Sequence, residues 1–247
     1  MNADQTQPQA QPRAPGIAIV TGASSGIGRA TVERLLRQGW RVHAAARRGC
    51  DVPGAVAHAV DLTASEGVRA LVDAVRPALG GGERVAVVHN AAVMESDAAD
   101  RIDESTWERA MRLNVTVPAL LTAALADRLG PGSAVIYIGS TLSEKAVAGR
   151  LSYCTSKHAL VGLMRGTVQD FFGRGVHAVC VCPGFTDTEM LRPVLDANPG
   201  LEAALTANVA FGRLIRPEEI ADLVAYCIDQ PMLNGAVLHA NLGQRET

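Results

Sequence analysis

Short, almost wholly apolar runs alternate with longer amphipathic stretches from residue 16 to the end of the chain. The apolar runs, at residues 17–20, 41–46, 55–60, 85–89, 134–138, 176–182 and 236–240, have the length of strands. Being apolar on both alternating faces, they suit a sheet covered on both sides. Helix-length stretches lie at residues 27–38, 65–79, 107–129, 152–172 and 217–228. Gly39 and Gly173 follow two of them as C-terminal stops, and Pro217 suits a first helical turn. This alternation predicts the α/β class: a doubly wound parallel sheet of about seven strands with helices on both faces and right-handed crossovers. Sheets of this kind bind ligands at the carboxyl ends of their strands, beside the point where strand order reverses.

The first 15 residues are rich in Gln and Pro and read as a disordered tail. No linker divides the remainder, so residues 16–247 are expected to form one domain. Lys plus Arg is 23 against 25 for Asp plus Glu, and aromatics are 4%. Neither a strong positive field nor a set of stacking rings is available for nucleic acid. The longest apolar stretch, residues 115–126, is too short to span a bilayer and holds Thr116, Pro118 and Thr122. The N-terminus lacks a secretory pattern, and the five cysteines (Cys50, Cys154, Cys180, Cys182, Cys227) form no C-x-x-C pair. A cytoplasmic protein with reduced thiols and no disulfide framework is expected. The six histidines (His43, His58, His89, His158, His177, His239) are scattered, and no metal site is expected.

The first strand runs straight into Thr21-Gly22-Ala23-Ser24-Ser25-Gly26-Ile27-Gly28, which opens a helix. Glycines permit a tight turn and close backbone approach, and the free N–H groups of a helix start favour an anion such as a pyrophosphate. No Lys-Ser/Thr follows, so a nucleoside triphosphatase loop is excluded. The spacing G-x-x-x-G-x-G resembles the glycine motif of the short-chain dehydrogenase/reductase family. That resemblance implies a Rossmann-like fold and a dinucleotide held by Gly22, Ser24, Ser25, Gly26, Ile27 and Gly28.

Further motifs extend the resemblance over residues 17–243. The second strand ends Ala45-Ala46-Arg47-Arg48. An acid there binds the ribose hydroxyls of NAD, whereas an arginine accommodates a 2′-phosphate. Ala46 stands where NAD-preferring relatives carry Asp and Arg47 follows it, so NADP(H) is expected rather than NAD(H); the plainer alternative is a solvated arginine pair. Asp61 and Leu62 match the adenine-contacting position, although Asp61 alone would suit a helix cap. His89-Asn90-Ala91-Ala92 stands where relatives carry Asn-Asn-Ala-Gly. Asn90 and Ala91 match; His89 and Ala92 depart. Pro183, Gly184, Thr186 and Thr188 match the segment that borders the nicotinamide.

Tyr153 and Lys157 stand at i and i+4 on one helix face. An ammonium beside a phenol stabilises the phenolate and lowers its pKa from about 10, letting the phenol exchange a proton with a carbonyl or alcohol oxygen. Ser140, ending a strand, can bond the same oxygen; Ser143 and Ser152 are weaker alternatives. Asn114 sits in a helix with Pro118 four residues on. Proline has no N–H for the Asn114 carbonyl, so a kink and a carbonyl free to hold a relay water are expected. The resemblance makes Asn114, Ser140, Tyr153 and Lys157 the catalytic set.

Residues 185–212 should cover the substrate, with Met190, Leu191, Leu195, Leu201, Leu205 and Val209 at near-helical spacing. The stretch Phe211-Gly212-Arg213-Leu214 resembles the 3-oxoacyl-(acyl-carrier-protein) reductase branch. It implies a ketone or acyl-thioester substrate and an acidic carrier docked through Arg128 and Arg174. A homodimer through residues 107–129 and 152–172 is expected. The tetramer of the family is less secure, because residues 234–243 depart from the usual ending. A nucleotide sensor without turnover is the alternative function.

Overall fold

The computed structural model describes residues 14–80 and 82–245; of the expected tail, residues 1–13 lie outside that range. Strand β1 (Ile17–Thr21) leads into helix α1 (Gly26–Arg37), then β2 (Arg41–Ala46) and β3 (Val56–Ala59). Helix α2 (Gly67–Val75) returns the chain to β4 (Val85–His89). Helices α3 (Glu104–Met111) and α4 (Val117–Leu125) precede β5 (Ala134–Ile138), and α5 (Leu151–Asp170) precedes β6 (His177–Pro183). The short helices α6 (Arg192–Asp196) and α7 (Leu201–Thr206) come before α8 (Pro217–Asp229) and β7 (Val237–Ala240).

The strands form one parallel sheet in the order β3-β2-β1-β4-β5-β6-β7. This is a Rossmann-like doubly wound sheet, as the alternation of runs predicts. The chain builds outward from β1 to β3, then crosses to β4 on the other side of β1. The sheet therefore changes direction between β1 and β4, and a crevice opens at their carboxyl ends.

Alternation along β1, β2, β4, β5 and β6 supplies both faces of the core, whereas β3, expected to be covered on both faces, is an edge strand and mostly exposed. Ile17, Ile19, Val85 and Val87 pack on one face with Leu71, Leu121, Leu125, Leu160 and Met164 of α2, α4 and α5. Ala18, Val20, Ala86 and Val88 pack on the other with Val32 and Leu35 of α1 and Ile220, Val224 and Ile228 of α8. Two-sided burial explains why the strand sequences are continuously apolar. Among the described residues, no helix is long and apolar enough to cross a membrane.

The stretch expected as one helix at 107–129 is differently built. It starts earlier, at Glu104, because the Asp103 carboxylate accepts the Thr106 N–H at 3.0 Å and caps the first turn. It then widens into a π turn over Arg112–Thr116, where the Val117 N–H bonds the Arg112 carbonyl five residues back. Pro118 opens the following α-helical segment, so the ladder absorbs the missing proline N–H by this wide turn.

Leu121 is fully buried, whereas its neighbour Leu120 is 45% exposed. Leu121→Ala should lower the free energy of unfolding in urea by about 2–5 kcal/mol, and Leu120→Ala by less than about 0.5 kcal/mol.

Candidate active site

A cavity of about 650 Å³ lies along the carboxyl ends of β1, β2, β4, β5 and β6. It is lined by Gly22, Ser24, Ser25, Gly26 and Ile27 at one end and by Ser140, Tyr153 and Lys157 further along. Gly22 and Gly26 have φ of +67° and +51°, left-handed values that favour glycine. A Cβ on Gly28 would lie 2.2 Å from the Gly22 carbonyl oxygen, so this glycine is required by the turn's own packing. Gly28 itself does not line the cavity. Ser25 is extended at the head of α1 and adds no side-chain cap, and the first turn holds no acid. The first turn of α1 thus offers no acid of its own, which fits an external anion such as the pyrophosphate of a dinucleotide, while the Glu189 carboxylate approaches Gly26 from the loop after β6.

Asn90 fixes this turn. Its carboxamide donates to the Thr21 and Gly22 carbonyls at 3.0 and 3.1 Å. In return the Thr21 hydroxyl oxygen accepts the N–H groups of Asn90 and Ala91 at 3.0 and 3.1 Å. Asn90, Ala91 and Ala92 line the cavity, but the Asn90 amide nitrogen serves the chain itself. Arg47 and Asp61 line the same end. The Asp61 carboxylate accepts both the hydroxyl and the N–H of Thr63, which hold its pKa below the usual range, with a smaller pull from Arg47. Asp61 thus closes a local turn and does not cap α2, whose N-cap is Glu66. Leu62 is buried beneath it in the core.

Pro183 ends β6, and the Gly184 N–H bonds the Ala240 carbonyl. The Thr186 hydroxyl donates inward to the Gly184 carbonyl, whereas Thr188 rests against Gly26 over the glycine turn. All four residues line the cavity.

The proton-handling groups converge at its other end. Ser140 heads a short turn, Thr141–Ser143; its hydroxyl oxygen accepts the Leu142 N–H while Ser143 Oγ accepts the Ser140 N–H. Ser140 keeps its own proton to donate. Ser143 is locked by this cap, and neither Ser143 nor Ser152 lines the cavity. Gly139 leaves the space into which Cys180 and Cys182 project, with their sulfurs 3.7 Å apart as free thiols.

Lys157 is 2% exposed and donates from Nζ to the Ile138 carbonyl at 2.7 Å. Its Nζ lies over the Tyr153 ring, 5.4 Å from the ring centre. The acidified phenol expected from the sequence is not what this arrangement produces. Burial pushes Tyr153 up to about 12 against a counter-pull from the Ser140 hydroxyl, and burial pushes Lys157 down to about 8. The cause is physical: the ammonium is bonded to a backbone carbonyl, and desolvation acts on both groups at once.

Asn114 does not line the cavity. Its amide clamps the Val93 backbone, accepting the N–H and donating to the carbonyl, each at 2.9 Å. It also donates to Ser156 Oγ, which in turn donates to the Tyr153 carbonyl. The side chain thereby joins the loop after β4 to the helix that carries Tyr153. That loop supplies Val93, Met94 and Glu95 to the cavity, and α3 supplies Arg109, paired with Glu95 at 2.7 Å. Sequence reading missed these wall residues. The available signal was the Asp103-x-x-Thr106 cap, which places the start of α3 and so the face bearing Arg109. Among the described residues, no group of three or more His, Cys, Asp or Glu is placed to hold a metal.

His89, the departure from the family pattern, is buried under the site. It stacks on Tyr137, and its Nε2 lies 2.8 Å from Thr122 Oγ1. Its Nδ1 has no partner among the described residues. Burial lowers its pKa to about 3. Below pH of about 6.5 the unfolded chain gains a proton that folded His89 refuses, so stability falls as pH drops toward 3. His89→Asn should make the loss of unfolding free energy between pH 6 and pH 4 shallower by up to ~1.4 kcal/mol per pH unit, measured by urea titration at each pH.

The sequence matches the family described as short chain dehydrogenase over residues 16–199. It is 30% identical over 242 residues to the 3-oxoacyl-(acyl-carrier-protein) reductase FabG of Vibrio cholerae, covering 92% of this chain and 96% of that protein. The structure of a dehydrogenase/reductase from Sinorhizobium meliloti superposes with a TM-score of 0.82 at 28% identity, covering 94% and 96% of the two chains. Thermoplasma acidophilum aldohexose dehydrogenase has the same fold, with a TM-score of 0.84 at 22% identity over 93% of each chain. Built on this sheet and matched across most of its length, the chain belongs to the short-chain dehydrogenase family, whose members carry out nicotinamide-dependent oxidoreduction.

Proposed function

We propose that the protein is an NADPH-dependent carbonyl reductase acting on an apolar ketone or acyl thioester. The observation that carries this reading is the convergence of Ser140, Tyr153 and Lys157 in the cavity that the glycine turn enters from its other end. The bound nicotinamide supplies the hydride. Ser140 donates to the substrate oxygen and orients it. Tyr153 transfers a proton to that oxygen as charge develops there, and Lys157 stabilises the phenolate that results. Burial holds this phenol near 12 and keeps it protonated, and the Lys157 ammonium offsets the cost as its proton leaves. Asn114 holds the helix and the Val93 loop in register, and its backbone carbonyl is the proposed anchor of a relay water behind Lys157.

The substrate end is walled by Val93, Met94, Leu142, Phe185, Met190 and Leu191, which favours an apolar group beside the carbonyl. In the covering segment, Leu195 and Val209 are buried against the domain, leaving Met190 and Leu191 for the cavity. Arg128 and Arg174 bond the Leu79, Ala126 and Leu129 carbonyls at the amino-end side of the sheet, and neither lines the cavity. A carrier protein docked there would sit on the face opposite this subunit's own opening. This favours a free small ketone over a carrier-bound substrate.

NADPH absorbance followed across ketones, 3-oxoacyl thioesters and their carrier-bound forms tests the reading. Turnover should be greatest with apolar ketones, and Tyr153→Phe should lower kcat by about 10²- to 10⁴-fold without loss of cofactor binding. Binding of NADPH with no oxidation across the whole panel would replace the reductase with a nucleotide sensor.

Arg47 beside Ala46 underlies the NADPH preference. The ratio of kcat/KM for NADPH over NADH should exceed one, and Arg47→Asp should lower it at least about tenfold, ~1.4 kcal/mol.

A further inference from the structure

Tyr153 occupies the third position of α5, in the first turn of that helix. First-turn N–H groups have no partner within the helix, so an uncapped end frays. The N-cap residue here, Arg150, makes no side-chain cap bond. The Ser152 hydroxyl, the nearest local alternative, is fully buried and without a partner among the described residues.

The acceptor comes from a loop 55 residues upstream. Both carboxylate oxygens of Asp97 face the Ser152 N–H, at 3.1 and 3.3 Å. The Asp97 carbonyl faces the Leu151 N–H at 3.5 Å, and the Asp97 N–H bonds the Gly149 carbonyl at 3.3 Å. Asp97 is only 6% exposed, and its charge lies at the positive end of a 20-residue helix. The loop is tied down further, because Arg150 donates to the Glu95 carbonyl at 3.2 Å. Met94 and Glu95 of that loop line the cavity, whereas Asp97 does not.

We infer that Asp97 is a positioning residue: its buried carboxylate caps the first turn of α5 from another loop and so holds Tyr153 at the substrate oxygen. The inference rests on the reductase reading for its kinetic consequence, but the cap itself can be measured without turnover. Lys157 lies a full turn deeper and is anchored on Ile138, so cofactor binding does not depend on this cap. A first turn released by even an ångström takes the phenol out of proton-transfer distance, a displacement that costs about 100-fold in rate.

The experiment compares Asp97→Ala, Asp97→Ser and Asp97→Asn by hydrogen exchange, NADPH binding and steady-state kinetics. In the first two variants the Ser152 and Tyr153 amides should exchange faster, while amides in the second half of α5 keep their protection. Their kcat should fall about 100-fold with the NADPH dissociation constant unchanged. Asp97→Asn retains an acceptor oxygen and should restore both the protection and kcat. If Asp97→Ala does not fold, Asp97→Ser carries the comparison, since its hydroxyl is too short to reach the Ser152 N–H. Unchanged exchange at Ser152 in either variant overturns the inference. So does wild-type kcat in a variant whose first turn has opened, or a loss of kcat that follows a lowered unfolding temperature with protection lost along the whole helix. A wild-type protein that turns over no carbonyl removes the reductase reading instead, and the exchange pattern still decides whether Asp97 is the cap.

Discussion

The carboxamide of Asn90 joins the two strand ends between which the sheet changes direction. A crevice at such a place would otherwise be a gap between loops free to drift apart. One amide nitrogen bonding the Thr21 and Gly22 carbonyls, with the Thr21 hydroxyl bonding back to the β4 loop, turns the gap into a fixed edge. Gly22 and Gly28 are small because this bracket leaves no volume for a Cβ. The open end of α1 and the wall formed by Ala91 and Ala92 inherit their positions from it.

The chemistry at the far end depends on burial as much as on neighbouring charge. An ammonium and a phenol are both taken out of water, and each is pushed toward its neutral form. The surroundings of Tyr153 therefore hold the phenol in its protonated form, ready to donate rather than to ionise. That is preorganisation in which the scaffold fixes the position of both groups in advance.

Much of this was legible in the chain. Period-free apolar runs marked the strands, because a parallel sheet buried on both faces demands them, and the glycine spacing marked the turn after β1. The Tyr153–Lys157 spacing placed both groups on one face, since i and i+4 must share it. Other features were not legible. Pro118 announced the broken ladder that was read as a kink, but not the wide turn over Arg112–Thr116 that absorbs the missing N–H. The sign of the Tyr153 shift depends on depth of burial and on where the Lys157 ammonium is bonded, neither of which spacing encodes. Nothing in the sequence marks Asp97, because its partner is the N–H of Ser152, a contact across the fold.

Residues 243–245 lie against the stretch that precedes α8. After β7, the Gly243 carbonyl accepts the Ala210 N–H, and the Arg245 N–H bonds the Asn208 carbonyl at 2.8 Å. Residues 208–210 thus form a small seam with 243–245, close to Val209, which is buried beneath it. A change at residues 243–245 is consequently transmitted to residues 208–210, so the packing of the stretch around Val209 is set in part by residues more than thirty positions further along the chain.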